Sequence, residues 1–304
     1  MHIIETRNLC YTYSTAKTTT LHNINFTADA KQRIAVLGPN GAGKSTLFRH
    51  FNGILLPTSG DVFVGGEQVT KKNIASVRRK IGVVFQNPDD QIFSSTVEQD
   101  IAFGPSNLGL PKAEVEQRVN EVIHMLGLEE LRDRAPHHLS GGEKKRVAIA
   151  GVLAMQPEVI ILDEPTAGLD PRGVSDLFRF LNMLPLTLGC TIIFSTHQVE
   201  LVPENADLVY ILEKGELTAC GTPAEIFAQG DVLERARLEL PAVPRLIHSL
   251  QNSGVAVADA YTYQEGEDAL LRAFGKEPRK HAQTRDEAHV HSHFHRHPHY
   301  HESE

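Results

Sequence analysis

The sequence contains no tryptophan, only three cysteines, and no apolar run approaching the about 18 residues of a membrane-crossing helix. Cys10, Cys190 and Cys220 are odd in number and scattered, which excludes a disulfide framework and fits a reducing compartment. All three are expected to be small buried hydrophobes. An excess of positive charge is missing too. Lys and Arg total 30 against 38 Asp and Glu, a net charge of −8, so the electrostatic footprint of a dedicated nucleic-acid binder is absent and no nucleic-acid partner is expected. The opening MHIIETRNLC has neither a basic n-region nor an apolar h-region, so no secretory signal is expected there. These absences predict a chain soluble by itself, with any membrane role supplied through a partner.

What is present is a 304-residue chain, 41% hydrophobic, long enough to bury one large domain plus an appendage. It also has 16 histidines, eight of them between His281 and His301. Short apolar runs at residues 34–37, 81–85, 159–162, 191–194 and 208–212 alternate with helical-period segments. That alternation predicts an α/β architecture with a largely parallel sheet. Pro111 can occupy the first turn of a helix carrying Val115, Val119, Val122 and Leu126 at helical spacing, which reads as part of a helical subdomain inserted at about residues 87–157. Another amphipathic helix is expected after Pro171, with Val174, Leu177, Phe178, Leu181 and Leu184 on one face. The core domain spans about residues 2–230, a small helix-rich appendage 231–275, and a His-rich segment 276–304 that is expected to be disordered without a ligand.

Gly38, Pro39, Asn40, Gly41, Ala42, Gly43, Lys44 and Ser45 spell G-x-x-x-x-G-K-S directly after the strand IAVL, with Thr46 opening the helical TLFRHF. Glycines let the backbone curl so that successive N–H groups face phosphates, and the helix N-terminus adds its dipole. Lys44 would reach the β- and γ-phosphates, and the Ser45 hydroxyl would ligate Mg²⁺. A second element supports this reading. VIILDEP ends an apolar strand in Asp163 and Glu164, at the sheet edge where open α/β folds bind ligands. Asp163 suits the Mg²⁺ shell, and Glu164 can orient and polarise an attacking water.

LSGGEKKRVAIA at residues 139–150 resembles the signature motif of ABC-type ATPases. Gln86 in VVFQNP is similar to that family's Q-loop, residues 167–170 (AGLD) to its D-loop, and His197 in FSTH to its switch histidine. The resemblance covers about residues 2–230. It implies a P-loop NTPase fold of the ABC type, ATP and Mg²⁺ as ligands, and catalytic roles for Lys44, Gln86, Glu164 and His197, with Gln86 joining Ser45 and Asp163 at Mg²⁺. Tyr13 in CYTYS resembles the aromatic that stacks on adenine, with Tyr11 as the competitor. Ser140 is placed to cap a helix, so Ser140, Gly141 and Gly142 form a second anion site. In the family, that site acts across an interface on the γ-phosphate held by another subunit, which implies two chains sandwiching two ATP molecules, by default a homodimer. Glu143 stands where many members carry glutamine. Its carboxylate is expected either to weaken a neutral hydrogen bond or to form an exposed ion pair with Lys144 or Lys145.

Residues 87–110 and 199–227, with the signature, look much like the ATPases of energy-coupling-factor importers, especially the cobalt and nickel group. That likeness implies a peripheral subunit on the cytoplasmic face of the cell membrane. Its partners are an integral membrane coupling protein, a metal-binding membrane component and a second ATPase subunit. Asp89, Asp90, Gln91 and Phe93 would line the groove that receives the coupling helices.

From His289 onward, His289, His291, His293, His295, His297, His299 and His301 occupy every second position. Neutral imidazole is a first-row transition-metal ligand, so this run is expected to bind Ni²⁺, Co²⁺, Zn²⁺ or Cu²⁺ with little selectivity. A purification tag usually has consecutive histidines. A solvated tail whose metal binding is incidental remains the plainer alternative. Other functions that the residues leave open are an importer ATPase for another micronutrient and a P-loop metallochaperone NTPase. The latter would need a guanine-reading N-K-x-D, which this chain lacks.

Overall fold

The computed structural model describes residues 2–15 and 18–278, so the histidine run from His281 to His301 lies outside the described residues. They form two compact units, divided between Ala242 and Val243.

The first unit opens with β1 (Ile4–Tyr11), β2 (Leu21–Ile24), β3 (Thr27–Ala28), β4 (Arg33–Leu37) and helix α1 (Lys44–Phe51). There follow β5 (Ser59–Val64), β6 (Glu67–Gln68), α2 (Ile74–Lys80) and β7 (Ile81–Val84). Three helices come next: α3 (Val97–Asn107), α4 (Lys112–Met125) and α5 (Gly141–Leu153). β8 (Val159–Leu162), α6 (Pro171–Thr187), β9 (Thr191–Thr196), α7 (Val202–Asn205), β10 (Leu208–Glu213), β11 (Glu216–Gly221), α8 (Pro223–Phe227) and α9 (Gly230–Arg235) complete the unit.

The main sheet runs β11-β10-β4-β9-β8-β7, parallel throughout except for the antiparallel β10–β11 pair. Every residue of β8 and β9 is buried, the mark of strands covered on both faces. All five expected apolar runs are strands of this sheet. Register positions the chemistry: Leu37 pairs with Thr196, Leu162 with Phe194 and Val84 with Leu162. Four neighbouring strands therefore release the P-loop, His197, the Asp163–Glu164 pair and Gln86 from one carboxyl edge.

A second sheet, β2-β1-β5-β6 with β3 also on β1, is antiparallel and was not anticipated. One core joins it to the main sheet. Leu47, Phe48 and Phe51 of α1 share a cluster with Ile34 and Val36 of β4 and with Val62 and Val64 of β5. Phe26 stacks in it between Phe51 and Tyr210, at ring centroid distances of 4.8 and 4.5 Å.

α3, α4 and α5 pack on one another between β7 and β8, where the helical insert was expected. Pro111 is the N-cap of α4, one residue outside the first turn predicted for it, and Ile123 is buried in α4 while Leu126 caps its C-terminus half-buried. α6 buries Leu177, Phe178, Leu181 and Leu184 as expected, with Val174 half-buried. The first unit extends beyond the anticipated limit at residue 230, to Ala242, and α9 buries Val232 and Leu233 within that extension. Cysteine burial also differs from expectation. Cys190 is buried, which pushes its thiol up to about 11, but Cys10 is half-buried and Cys220 exposed.

α10 (Ala242–Asn252) enters the second unit at Val243, and α11 (Tyr263–Ala273) follows. Its small core is Ile247, Val257, Ala260 and Ala269. Thr262 and Glu265 form a capping box that starts α11.

Candidate functional site

The loop between β4 and α1 has a backbone that only glycine accepts at two points. A Cβ at Gly38 would fall 2.2 Å from the Leu212 carbonyl oxygen, and Gly43, at φ 108°, would meet Leu21 at 2.9 Å. Gly43 caps α1 with no side-chain hydrogen bond and no acid in the first turn, so that turn's N–H groups face outward for an anion. Lys44 is buried and its Nζ donates to the Gly38 and Pro39 carbonyls at 2.6 and 3.2 Å. The ammonium is thereby held on the loop that would receive phosphates. Asn40, Gly41, Ala42, Gly43, Lys44, Ser45 and Thr46 line a cavity of about 410 Å³ with Gln86, Asp163 and Glu164.

The two acids are buried and differently held. Ser195 Oγ donates to Asp163 Oδ1 at 2.6 Å and accepts from the Glu164 backbone N–H at 2.8 Å, fixing both residues at once. Glu164 takes φ 45°, a left-handed backbone that costs a non-glycine residue about 1–3 kcal/mol and tends to collect at functional sites. One of its oxygens lies 3.3 Å from Lys44 Nζ and the other 3.0 Å from His197 Nδ1. The first of these, Oε1, is buried without a hydrogen bond. His197 is half exposed, so its ring stands between solvent and the buried carboxylate. Ser195 was not singled out in the sequence; the only signal was its place in FSTH, two residues before His197.

Ser45, Gln86 and Asp163 bring hydroxyl, amide and carboxylate oxygens to the same cavity, the all-oxygen donor chemistry that suits Mg²⁺. Gln86 is tethered from behind. Lys145 Nζ donates to its backbone carbonyl at 2.8 Å, and Lys145 is one of the few charged side chains that are buried. Burial pushes this ammonium's pKa down, against the pull of the Asp163 charge.

Ser140, Gly141 and Gly142 do not join this cavity. They line another, of about 670 Å³, with Gly168, Leu169 and Asp170. Ser140 caps α5 as expected: its Oγ accepts from Glu143 N–H, while Glu143 Oε2 accepts from Ser140 N–H at 2.7 Å. Glu143 is thus a capping carboxylate, and those bonds hold it below the ordinary carboxylate range. The predicted ion pair with its neighbours does not form, because Lys144 pairs with Asp89 at 2.6 Å and Lys145 turns to Gln86. Helix geometry leaves the Gly141 and Gly142 N–H groups without intrahelical acceptors.

Of the two candidate tyrosines, Tyr11 packs its ring against His50 and the core, at 4.6 Å. Tyr13 stands outside it, edge-on to Tyr11 at 4.9 Å, with its hydroxyl 3.0 Å from Thr46 Oγ1. The seven tail histidines from His289 lie outside the described residues. Among the described residues no group of three or more His, Cys, Asp or Glu side chains is placed to hold a metal ion, and no helix is long and apolar enough to cross a membrane.

Residues 21–167 match a family profile described as ABC transporter. The energy-coupling factor transporter ATP-binding protein EcfA of Methanoculleus marisnigri is 58% identical over 276 residues, covering 91% of this chain and 99% of its own. EcfA1 of Methanospirillum hungatei is likewise 58% identical over 276 residues, with the same coverage of each chain. Among solved structures, cbiO1 from Clostridium perfringens, described as part of the ABC transporter complex cbiONQ, superposes with a TM-score of 0.70 at 44% identity, covering 82% of this chain and 99% of that one. The ATP-binding cassette MJ0796, dimeric in a post-hydrolysis state with ADP and Pi, gives 0.66 at 27% identity, over 72% of this chain and 98% of its own.

Proposed function

The chain belongs to the ABC transporter family of ATP-binding proteins and is an ATPase, and from that premise we propose that it energises an energy-coupling-factor importer whose cargo is nickel or cobalt. The observation that carries the ATPase assignment to particular residues is the buried Glu164 carboxylate, which lines the cavity and is held between Lys44 and His197. In this reading the P-loop N–H groups and Lys44 bind the β- and γ-phosphates, and Tyr13, free of the core packing that occupies Tyr11, takes adenine. Glu164 polarises the attacking water. His197 holds that carboxylate and the γ-phosphate in line, a contribution of position and electrostatics. Ser45, Gln86 and Asp163 would hold Mg²⁺, whose chemistry there is to neutralise phosphate charge.

The separate cavity at Ser140 and Gly142 supports a second ATPase subunit, since these donors and the P-loop line different cavities of this chain. Phe93 and Phe103, both exposed and edge-to-face at 4.7 Å, support the segment after Gln86 as the seat of an integral membrane coupling protein. A peripheral location on the cytoplasmic face follows from such partners. The cobalt or nickel assignment draws on the likeness in residues 87–110 and on the seven alternating histidines.

Glu164→Gln is expected to retain ATP binding, suppress hydrolysis and accumulate the ATP-bound dimer. Full residual turnover would remove Glu164 from this role. Purification of the complex from native membranes, with uptake of labelled Ni²⁺ and Co²⁺, tests the cargo. Uptake of an organic micronutrient with no metal uptake would reject it.

A further inference from the structure

Three side-chain tethers join α5 to the segment that leaves β7. Lys145 Nζ donates to the Gln86 carbonyl at 2.8 Å. Lys144 Nζ pairs with Asp89 Oδ1 at 2.6 Å. Gln91 Oε1 accepts from Phe85 N–H at 3.1 Å, and its amide reaches the Ala148 carbonyl of α5 at 3.5 Å. All three land within Phe85–Gln91, the stretch that carries Gln86 into the phosphate cavity. α5 is also the helix whose first residues, Gly141 and Gly142, line the other cavity.

Of the three tethers, Lys145 alone is fully buried and alone grips the backbone of the cavity residue itself, its side chain 2% exposed. A flexible four-carbon stem buried inside the protein has surrendered rotamer freedom, and its ammonium donates to a main-chain carbonyl. A helix of 13 residues is stiff on this scale, so a displacement of the α5 N-terminus must move Lys145 and, through it, Gln86.

We propose that Lys145 is a positioning residue that sets the Gln86 side chain against the divalent cation and ties its placement to the position of the Ser140–Gly142 end of α5. The two half-sites of one chain are then mechanically linked: occupation of the Ser140 end by the partner's nucleotide adjusts the metal end of this chain's own cavity. This rests on the reading of Gln86 as a metal contact, so Gln86→Ala is the control.

The test measures ATP binding to the full-length protein by titration calorimetry across a Mg²⁺ series and in EDTA, without relying on turnover. Lys145→Met keeps the buried stem and removes the donor; it is expected to raise the Mg²⁺ concentration for half-maximal ATP binding about tenfold while leaving ATP affinity in EDTA within twofold of the parent. Lys145→Gln, which keeps an N–H donor, is expected to recover part of that shift, a rescue that a packing role would not give. Gln86→Ala is expected to match Lys145→Met. If Gln86→Ala leaves the Mg²⁺ dependence unchanged, the metal reading of Gln86 fails and the proposal with it. If Gln86→Ala shifts it and neither Lys145 variant does, only the proposal is overturned. Loss of folding in both Lys145 variants, seen as a collapsed thermal transition, would mark the residue as structural and overturn the proposal as well.

Discussion

Ser195 holds both site acids with one hydroxyl, donating to Asp163 and accepting from Glu164 N–H, at a position with no solvent to replace it. Ser195→Ala leaves a buried carboxylate oxygen and a buried N–H without partners, a loss of about 1–3 kcal/mol. Where that loss falls on the transition state it corresponds to a kcat decrease of about 5- to 150-fold. Steady-state kinetics with a separate nucleotide-binding titration check it, since Lys44→Ala is expected to weaken binding itself and Ser195→Ala is not. His50 offers a residue-scale handle on pH. Its ring is buried, with Nδ1 2.7 Å from the Thr46 carbonyl, and burial pushes its pKa down. The unfolded chain therefore binds the proton more tightly than the fold does. Its stabilising contribution is complete above the unfolded value of about 6.5 and is lost as pH falls from there towards the folded value. Thermal unfolding between pH 7.5 and 5.5 should show this slope, reduced in His50→Gln.

At the scale of elements, α5 depends on its first turn. Ser140→Ala removes one arm of the capping box and is expected to cost about 1 kcal/mol of stability by denaturant titration. Glu143→Gln keeps an acceptor for Ser140 N–H and is expected to change stability by less than about 0.5 kcal/mol. The same helix shows what the sequence discloses and what it conceals. Lys145 reads from the sequence as a partner for Glu143 in an exposed ion pair, yet Lys145, Ala148, Ile149 and Val152 follow i, i+3, i+4, i+7 and are all buried. That spacing was the available signal for Lys145, and charge masked it. Five of the six main-sheet strands were legible because short, wholly apolar runs such as VIIL mark buried strands, whereas β11, with no buried residue, was not. The antiparallel sheet was not. β1 alternates only in part, is exposed in its middle and slips register between Arg7 and Cys10, so no clean two-residue period survives. Ser195 was concealed for another reason: only the pairing of β8 beside β9 brings its hydroxyl between two acids 31 and 32 residues away.

For the whole molecule, every residue placed at the phosphates lies in the first unit, which closes at Ala242. Removing residues 281–304 is therefore expected to leave ATPase activity of the assembled transporter intact while abolishing most Ni²⁺, Co²⁺, Zn²⁺ and Cu²⁺ binding by calorimetry. Lost turnover would contradict the separation of tail and engine. The division of donors between two cavities has a genetic consequence. On the dimeric reading, a Lys44→Ala chain and a Ser140→Arg chain are each inactive as homodimers, since both of their composite sites carry the lesion. In a mixed pair the two lesions fall in the same site, and the other is wholly wild type. Co-expression of two dead alleles should then restore turnover in those pairs, and a single chain carrying both substitutions should rescue neither.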